Sequence, residues 1–291
     1  MPELLRGRVM ALEANYLRVR LQQPGPAGER QLLCTRRARL AYGGQQVMVG
    51  DWVGLDGCDW GDGRAAVASL EPRCSQLQRP ALANVDQVLV VVALAQPSLD
   101  EELLSRFLLS AETTGVEVVP VLSKADLITT AEASSWLQRL KCWGYDALCI
   151  SREQPETLSL VRQRLAGGVA VLCGPSGVGK SSLLNALVPH LDLPTAAVSG
   201  KLQRGRHTTR HVELHDLPGG GLLADSPGFN RPELPLDQQQ LPLLFPEIRR
   251  QLEEGARCRF RDCRHLQEPG CGLDHSWERY GTYRSLMEQS N

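Results

Sequence analysis

Residues 1–72 alternate apolar and polar side chains in short runs separated by turn-forming residues. The runs at 7–12, 16–21, 31–34, 47–53 and 65–68 read as strands, and a Pro/Gly turn falls at 24–28. Short strands at regular spacing suggest a small barrel or sandwich, and a five-stranded OB-type barrel fits this length. Such barrels often bind oligonucleotides. A linker at 71–80 carries two prolines, Pro72 and Pro80, and beyond it the pattern changes. Apolar runs at 85–95, 116–122, 147–150 and 169–173 now alternate with helical spacing at 101–114, 131–143, 155–165 and 182–187, which predicts a mostly parallel, doubly wound sheet. Residues 189–205 read as a loop, 211–215 and 221–224 as a hairpin around Pro218-Gly219-Gly220, and 277–287 as a terminal helix. The expected architecture is therefore multidomain. An all-β OB-fold spans 1–72, an α/β domain 73–230, and a C-terminal domain with helices 231–291.

Composition adds boundaries. The chain has 291 residues, 42% hydrophobic and 22% charged, as an ordinary globular protein does. Lys+Arg at 32 against Asp+Glu at 33 leaves it near neutral, so a nucleic-acid partner must be met by local patches. Three clusters qualify: Arg36, Arg37 and Arg39; Lys201, Arg204, Arg206 and Arg210; Arg257, Arg259, Arg261 and Arg264. No opening apolar run suits a signal peptide and no run is long enough to span a bilayer, so the expected location is the cytoplasm. The nine cysteines then read as thiols or metal ligands rather than a disulfide framework.

The most informative stretch is Gly174-Pro175-Ser176-Gly177-Val178-Gly179-Lys180-Ser181, between the strand at 169–173 and a helical run that begins with Ser182. Strand, glycine loop and helix form a P-loop, whose successive N–H groups converge on phosphate oxygens at the positive end of a helix dipole. Lys180 would reach the β- and γ-phosphates, and the Ser181 hydroxyl would ligate Mg²⁺. Downstream, Asp225-Ser226-Pro227-Gly228 ends the hairpin. Asp225 would hold Mg²⁺ through water, and the Gly228 N–H would contact the γ-phosphate.

Upstream, Ser123-Lys124-Ala125-Asp126 follows a strand and is similar to the Asn/Thr-Lys-x-Asp guanine-reading motif of GTPases. The Asp126 carboxylate can accept from the guanine ring N–H and its exocyclic amine, while the Lys124 stem covers the base. Ile150-Ser151, closing the next strand, would offer a main-chain contact to the guanine carbonyl. These features favour GTP over ATP; a P-loop ATPase or kinase with a metal appendage is the competing class. The guanine motif here precedes the P-loop and the γ-phosphate loop follows it, a rotation of the usual order.

Cys258-x4-Cys263-x-His265-x5-Cys271 supplies three sulfurs and an imidazole, a set that suits one structural tetrahedral Zn²⁺. The segment is Arg-rich and poor in apolar residues, so a metal would account for its order. His275 is a competing donor nearby, read here as a surface residue.

Taken together, the chain resembles the ribosome small-subunit-dependent GTPases of bacteria, the RsgA-type circularly permuted GTPases. The matching residues are Ala83-Asn84-Val85-Asp86-Gln87, Ser123 to Leu127, the P-loop through Asn185, Gly205-Arg206-His207-Thr208-Thr209, Asp225 to Phe229, and Cys258 to Cys271. The resemblance implies an N-terminal OB-fold, a central permuted GTPase domain and a C-terminal zinc domain. It also implies contact with the small ribosomal subunit and its rRNA during late maturation, with subunit-stimulated GTP hydrolysis to GDP tied to release. Thr209 would be the Mg²⁺ ligand and γ-phosphate sensor, with Thr208 as the fallback. Ser123 departs from the commoner Asn or Thr, and Ser226 from the commoner Thr. Phe229 stands where Ras-like enzymes carry a water-orienting Gln. Intrinsic hydrolysis should then be slow, with His207 the candidate to align water. The alternative is a GTP-binding, ribosome-associated scaffold with little turnover. A monomer is expected.

Overall fold

The alternating N-terminal segment forms five strands: β1 (Leu5–Leu12), β2 (Leu17–Leu21), β3 (Gln31–Arg36), β4 (Trp52–Asp59) and β5 (Arg64–Leu70). The computed structural model describes residues 4–37, 46–151, 153–188, 191, 212–225, 229–234 and 237–289, with Asp225 described by its main chain alone. The strands run in the order β1-β2-β3-β5-β4, and β4 returns to β1 with Leu5 opposite Leu55 and Arg8 opposite Trp52. Closure in this order is the OB barrel that the spacing predicts. Inward-facing positions, among them Val9, Val19, Leu32, Cys34, Val53, Leu55 and Val67, form its core.

The strand expected at 47–53 begins only at Trp52. The chain turns first at Gly50, whose φ of +91° and whose missing Cβ, 2.0 Å from the Ala83 carbonyl oxygen if built, admit only glycine. The fully buried Asp51 holds the turn by accepting from the Met48 N–H at 2.7 Å and from Arg73 Nε at 2.7 Å. The same ion pair pins the segment read as a linker. That segment opens a short hairpin, β6 (Gln76–Gln78) with β7 (Ala81–Ala83).

Contacts divide the chain into two units: 1–88, 161–173 and 180–230; and 89–160, 174–179 and 231–291. The later elements are β8 (Gln87–Ala93), β9 (Glu117–Ser123), β10 (Leu148–Cys149), β11 (Val169–Cys173), β12 (Glu213–Asp216) and β13 (Leu222–Asp225), with helices α1 (Glu101–Glu112), α2 (Thr130–Trp143), α3 (Pro155–Arg164), α4 (Lys180–Leu187), α5 (Pro246–Glu253) and α6 (Tyr280–Gln289). In the first unit the strands continue β11-β13-β12-β1. β11 and β13 are parallel, and β12–β13 is the expected hairpin, Glu213 opposite Asp225. The outward arginines of the barrel face β12: Arg18 pairs with Glu213 at 2.8 Å, and Arg20 with Asp216.

The second unit carries the order β10-β9-β8, with β9 and β10 parallel. Asp100 caps α1 by accepting from the Leu103 N–H, and Thr129 with Glu132 forms a capping box on α2. Its C-terminal part has a small core of Leu241, Phe245, Ile248, Leu273, Tyr283 and Leu286, joined by Leu109 of α1. The terminal helix begins at Tyr280 rather than 277, because Trp277 packs instead against Phe245, ring centroids 5.5 Å apart. The loop expected at 189–205 lies outside the described residues apart from Leu191. Among the described residues no helix is long and apolar enough to cross a membrane.

Candidate functional site

Every residue of β11 is buried, and Gly174 follows its last residue directly. Gly174 has φ +135°, and a Cβ there would lie 2.1 Å from the Val91 carbonyl oxygen. Gly177 at φ +82° and Gly179 at +98° face open space, so backbone conformation alone demands glycine there. The loop ends at Lys180 as α4 begins, anchored by the buried Leu183, Leu184 and Leu187. Lys180 and Ser182 are half-buried and Ser181 is exposed; Ser176 is exposed and Val178 is buried. Burial pushes the neighbouring Cys173 thiol far up, with the Lys180 charge offsetting only part of the shift, so this sulfur is chemically quiet. Ahead of β11, Asp86 brackets Val169: its N–H donates to the Val169 carbonyl at 2.8 Å, and its Oδ2 accepts from the Val169 N–H at 2.7 Å.

The segment 123–126 meets this loop. Ser123 is buried at the end of β9, and its Oγ donates to the Val178 carbonyl at 2.6 Å while lying 3.1 Å from that of Val92. Lys124, in a left-handed conformation at φ +58°, sends its Nζ to the Gly177 carbonyl at 3.0 Å and also to that of Gln96. Asp126 is exposed, and one oxygen accepts from Ser151 Oγ at 2.9 Å. The Ser151 N–H is already committed to Thr157 Oγ1 at 3.1 Å, so what Ser151 gives Asp126 is its hydroxyl. Sequence reasoning missed Gln96 and Thr157. Gln96 acts through its main chain and leaves no side-chain signal. Thr157 sits in the first turn of α3, where a hydroxyl reaching back is an ordinary reading.

β13 ends at Asp225, which pairs with Glu213 of β12. Ser226, Pro227, Gly228, His207, Thr208 and Thr209 lie outside the described residues, as do Arg39, Lys201, Arg204, Arg206 and Arg210. Phe229 is buried.

In the C-terminal part, the ligand atoms of Cys258, Cys263, His265 and Cys271 all lie within 4.8 Å of one another. Cys258 Sγ is 3.4 Å from His265 Nδ1 and 4.0 Å from Cys271 Sγ, and Cys271 Sγ is 3.9 Å from His265 Nδ1. A tetrahedral ion with bonds of about 2.3 Å to sulfur and about 2.0 Å to nitrogen requires edges of about 3.5–3.8 Å, so the donors fit. Desolvation and the adjacent sulfurs push the Cys263 thiol up to about 12, so a bound cation is what would hold this group as a thiolate. The Gly272 N–H donates to Cys258 Sγ at 3.4 Å, an outer contact of the kind metal-bound sulfur receives. His275 is half-buried rather than on the surface, its Nε2 3.6 Å from Cys271 Sγ. Arg257, Arg259, Arg261 and Arg264 are exposed around Phe260, itself 52% exposed.

Comparison with known proteins gives this geometry a setting. The RsgA GTPase family model matches residues 70–235. A small ribosomal subunit biogenesis GTPase RsgA of Synechococcus sp. (strain CC9605) is 55% identical over 287 residues, covering 98% of this chain and 94% of that protein. The protein of the same name from Thermosynechococcus vestitus is 51% identical over 285 residues, covering 98% and 81%. Among solved structures, YjeQ of Thermotoga maritima superposes with a TM-score of 0.80 at 27% identity over 98% of both chains. YloQ, a circularly permuted GTPase, gives 0.79 at 26% identity over 99% and 96%. The barrel, the rotated order of nucleotide motifs and the C-terminal Cys/His cluster thus belong together, and this chain is a member of the RsgA GTPase family.

Proposed function

We propose that this protein hydrolyses GTP to GDP and phosphate on the small ribosomal subunit, late in that subunit's maturation. The observation that carries the reading is the tie between Ser123, Lys124 and the carbonyls of Val178 and Gly177, which joins a guanine-type loop to a phosphate-type loop. The relatives' shared name supports the subunit as the place of action. Domains of 1–72, 73–230 and 231–291 follow, in the cytoplasm, as a monomer contacting rRNA.

In this reading residues 174–182 enclose the phosphates and Asp126 accepts from the base. Lys124 covers the base and Ser151 orients Asp126. Lys180 stabilises charge developing on the γ-phosphate as water attacks in line. Ser181, Thr209 and Asp225 are the residues that would hold Mg²⁺, which when bound supplies further charge neutralisation. Gly228 senses the γ-phosphate and His207 aligns the water. Cys258, Cys263, His265 and Cys271 hold one structural zinc. Buried Phe229 offers no hydrogen bond to water, which favours slow turnover until the subunit completes the site.

The test is GTP hydrolysis by the purified protein, alone and with purified small subunits, with ATP as control. Slow turnover that rises by orders of magnitude on adding subunits is expected. Absence of any rise would favour the GTP-binding scaffold. Asp126→Asn should shift preference toward xanthine nucleotides, because the amide restores complementarity to a carbonyl; unchanged GTP preference would remove Asp126 as the base reader.

A further inference from the structure

The C-terminal cluster holds five donor side chains, and four satisfy a tetrahedral ion. His275 is the fifth. We infer that His275 is an outer hydrogen-bond donor to the Cys271 thiolate and sets how firmly the cluster retains its ion; the inference rests on the zinc reading above.

Reach comes first. His275 Nε2 lies 3.6 Å from Cys271 Sγ. It stands outside the four mutually close ligand atoms, which already supply a complete donor set. The proton follows from the chemistry of the sulfur. A metal-bound thiolate carries no hydrogen, so the shared proton belongs to the imidazole, which must be the Nε2–H tautomer and donate.

The ring is held where it can do this. It stacks on Tyr280 with centroids 4.7 Å apart and planes 13° from parallel. The preceding residue is clamped to α5 on both sides of its main chain. Gln251 Nε2 donates to the Asp274 carbonyl at 3.1 Å, and Gln251 Oε1 accepts from the Asp274 N–H at 2.7 Å. Asp274 Oδ1 also accepts from the Ser276 N–H at 3.0 Å, so both neighbours of His275 are tied down.

There is also something for the donor to do. Three thiolates on a dication leave an excess negative charge on sulfur, which main-chain N–H groups only partly relieve. Gly272 serves Cys258, His265 serves Cys263 and Leu273 serves Cys271. Among the described residues outside the four ligands, only His275 brings a side-chain N–H to one of these sulfurs, Cys271. Drawing density from that sulfur makes it less basic and a weaker nucleophile, so protons, oxidants and competing chelators attack it more slowly.

The test uses the full-length protein with its metal content measured, and compares His275→Phe with His275→Gln. Phe keeps a ring against Tyr280 but has no N–H, whereas Gln places an amide N–H near the position of Nε2. Zinc release to a colorimetric chelator should be about 10–100-fold faster for H275F and near wild type for H275Q. The cobalt-substituted proteins should show a shifted thiolate-to-cobalt band in H275F only. Identical release and spectra for H275F and wild type would reduce His275 to packing and overturn the inference. Retention of a tetrahedral cobalt spectrum by His265→Ala, lost on adding H275F, would make His275 a ligand and overturn it equally. A wild-type protein that takes up neither zinc nor cobalt would defeat the zinc reading itself, a result distinct from both.

Discussion

The phosphate loop at 174–181 and the Cys/His loop at 258–271 obtain their shapes by opposite means. The first is a backbone object. A wholly buried strand leads in, a helix leads out, and glycines at φ +135°, +82° and +98° set the path between them. The second has no helix or strand between α5 and α6, and side chains hold it. Tyr280 Oη donates to the Leu266 carbonyl at 3.1 Å and Tyr283 Oη to that of Arg264. Glu268 accepts from the Leu266 and Arg264 N–H groups at 2.9 and 3.2 Å. A loop written into the backbone is formed before its ligand arrives. A loop held by converging side chains, among them the Cys263 and Cys271 thiols that desolvation pushes up, would gain most from a bound cation.

Removing the metal tests this contrast most severely. A structural zinc supplies about 10–16 kcal/mol of apparent binding energy in isolated fingers. Chelation should therefore strip hydrogen-exchange protection from 256–279 while leaving β1–β5 protected and GDP affinity near its starting value. Loss of GDP binding in step with the metal would show that the two loops are not independently formed.

The next largest effect belongs to the buried pair beneath the metal loop. Arg279 and Glu247 are 3% exposed each and share two hydrogen bonds, of 2.7 and 2.6 Å. The guanidinium is stacked near Trp143 at 4.8 Å and Phe245 at 5.2 Å, and its Nη1 donates to Ser105 Oγ of α1 at 3.3 Å. Glu247→Gln strands a buried cation and should cost about 3–5 kcal/mol in a denaturant melt. The double replacement Glu247→Leu with Arg279→Met should avoid most of that loss, because the pair's own desolvation cost disappears with it.

On the phosphate side the chemistry rather than the fold should fail. Lys180→Ala should lower GTP turnover at least about a hundredfold, while zinc content and the melting of the barrel stay as they were. Near-wild-type turnover would remove Lys180 from the reaction.

The same contrast explains what was legible in the sequence. Barrel strands, the P-loop, the hairpin before Asp225 and the Cys/His donors each announce themselves by local spacing. What stayed hidden are side chains whose partners are far along the chain. Asp51 reaches Arg73, Asp86 closes on Val169, and Glu247 finds Arg279. Asp51 also moved the start of β4 from its expected position, since a buried carboxylate capping a turn overrides the apolar run of 47–49. Arg18 and Arg20 read in sequence only as the polar positions of an alternating strand. In the fold they are occupied by Glu213 and Asp216, acidic residues nearly two hundred positions downstream.

The smallest expected effect is the one that most sharpens the comparison. Ser123 ties the guanine-type loop to the phosphate loop through Val178, beside the Lys124 contact to Gly177. Were the phosphate loop shaped by side chains, as the metal loop is, Ser123→Ala would loosen it badly. Because glycine torsions and the β11–α4 flanks set its path, the deletion should forfeit only one hydrogen bond, about 1 kcal/mol. GDP affinity, read by titration calorimetry, should fall by less than about tenfold, with most of the loss in stability rather than in turnover. Ser123→Asn tests the same point from the other side. It supplies the amide more usual in such motifs, and if the backbone already defines the loop it should gain almost nothing. A hundredfold loss of affinity in Ser123→Ala, or a comparable gain in Ser123→Asn, would mean that both loops depend on converging side chains after all.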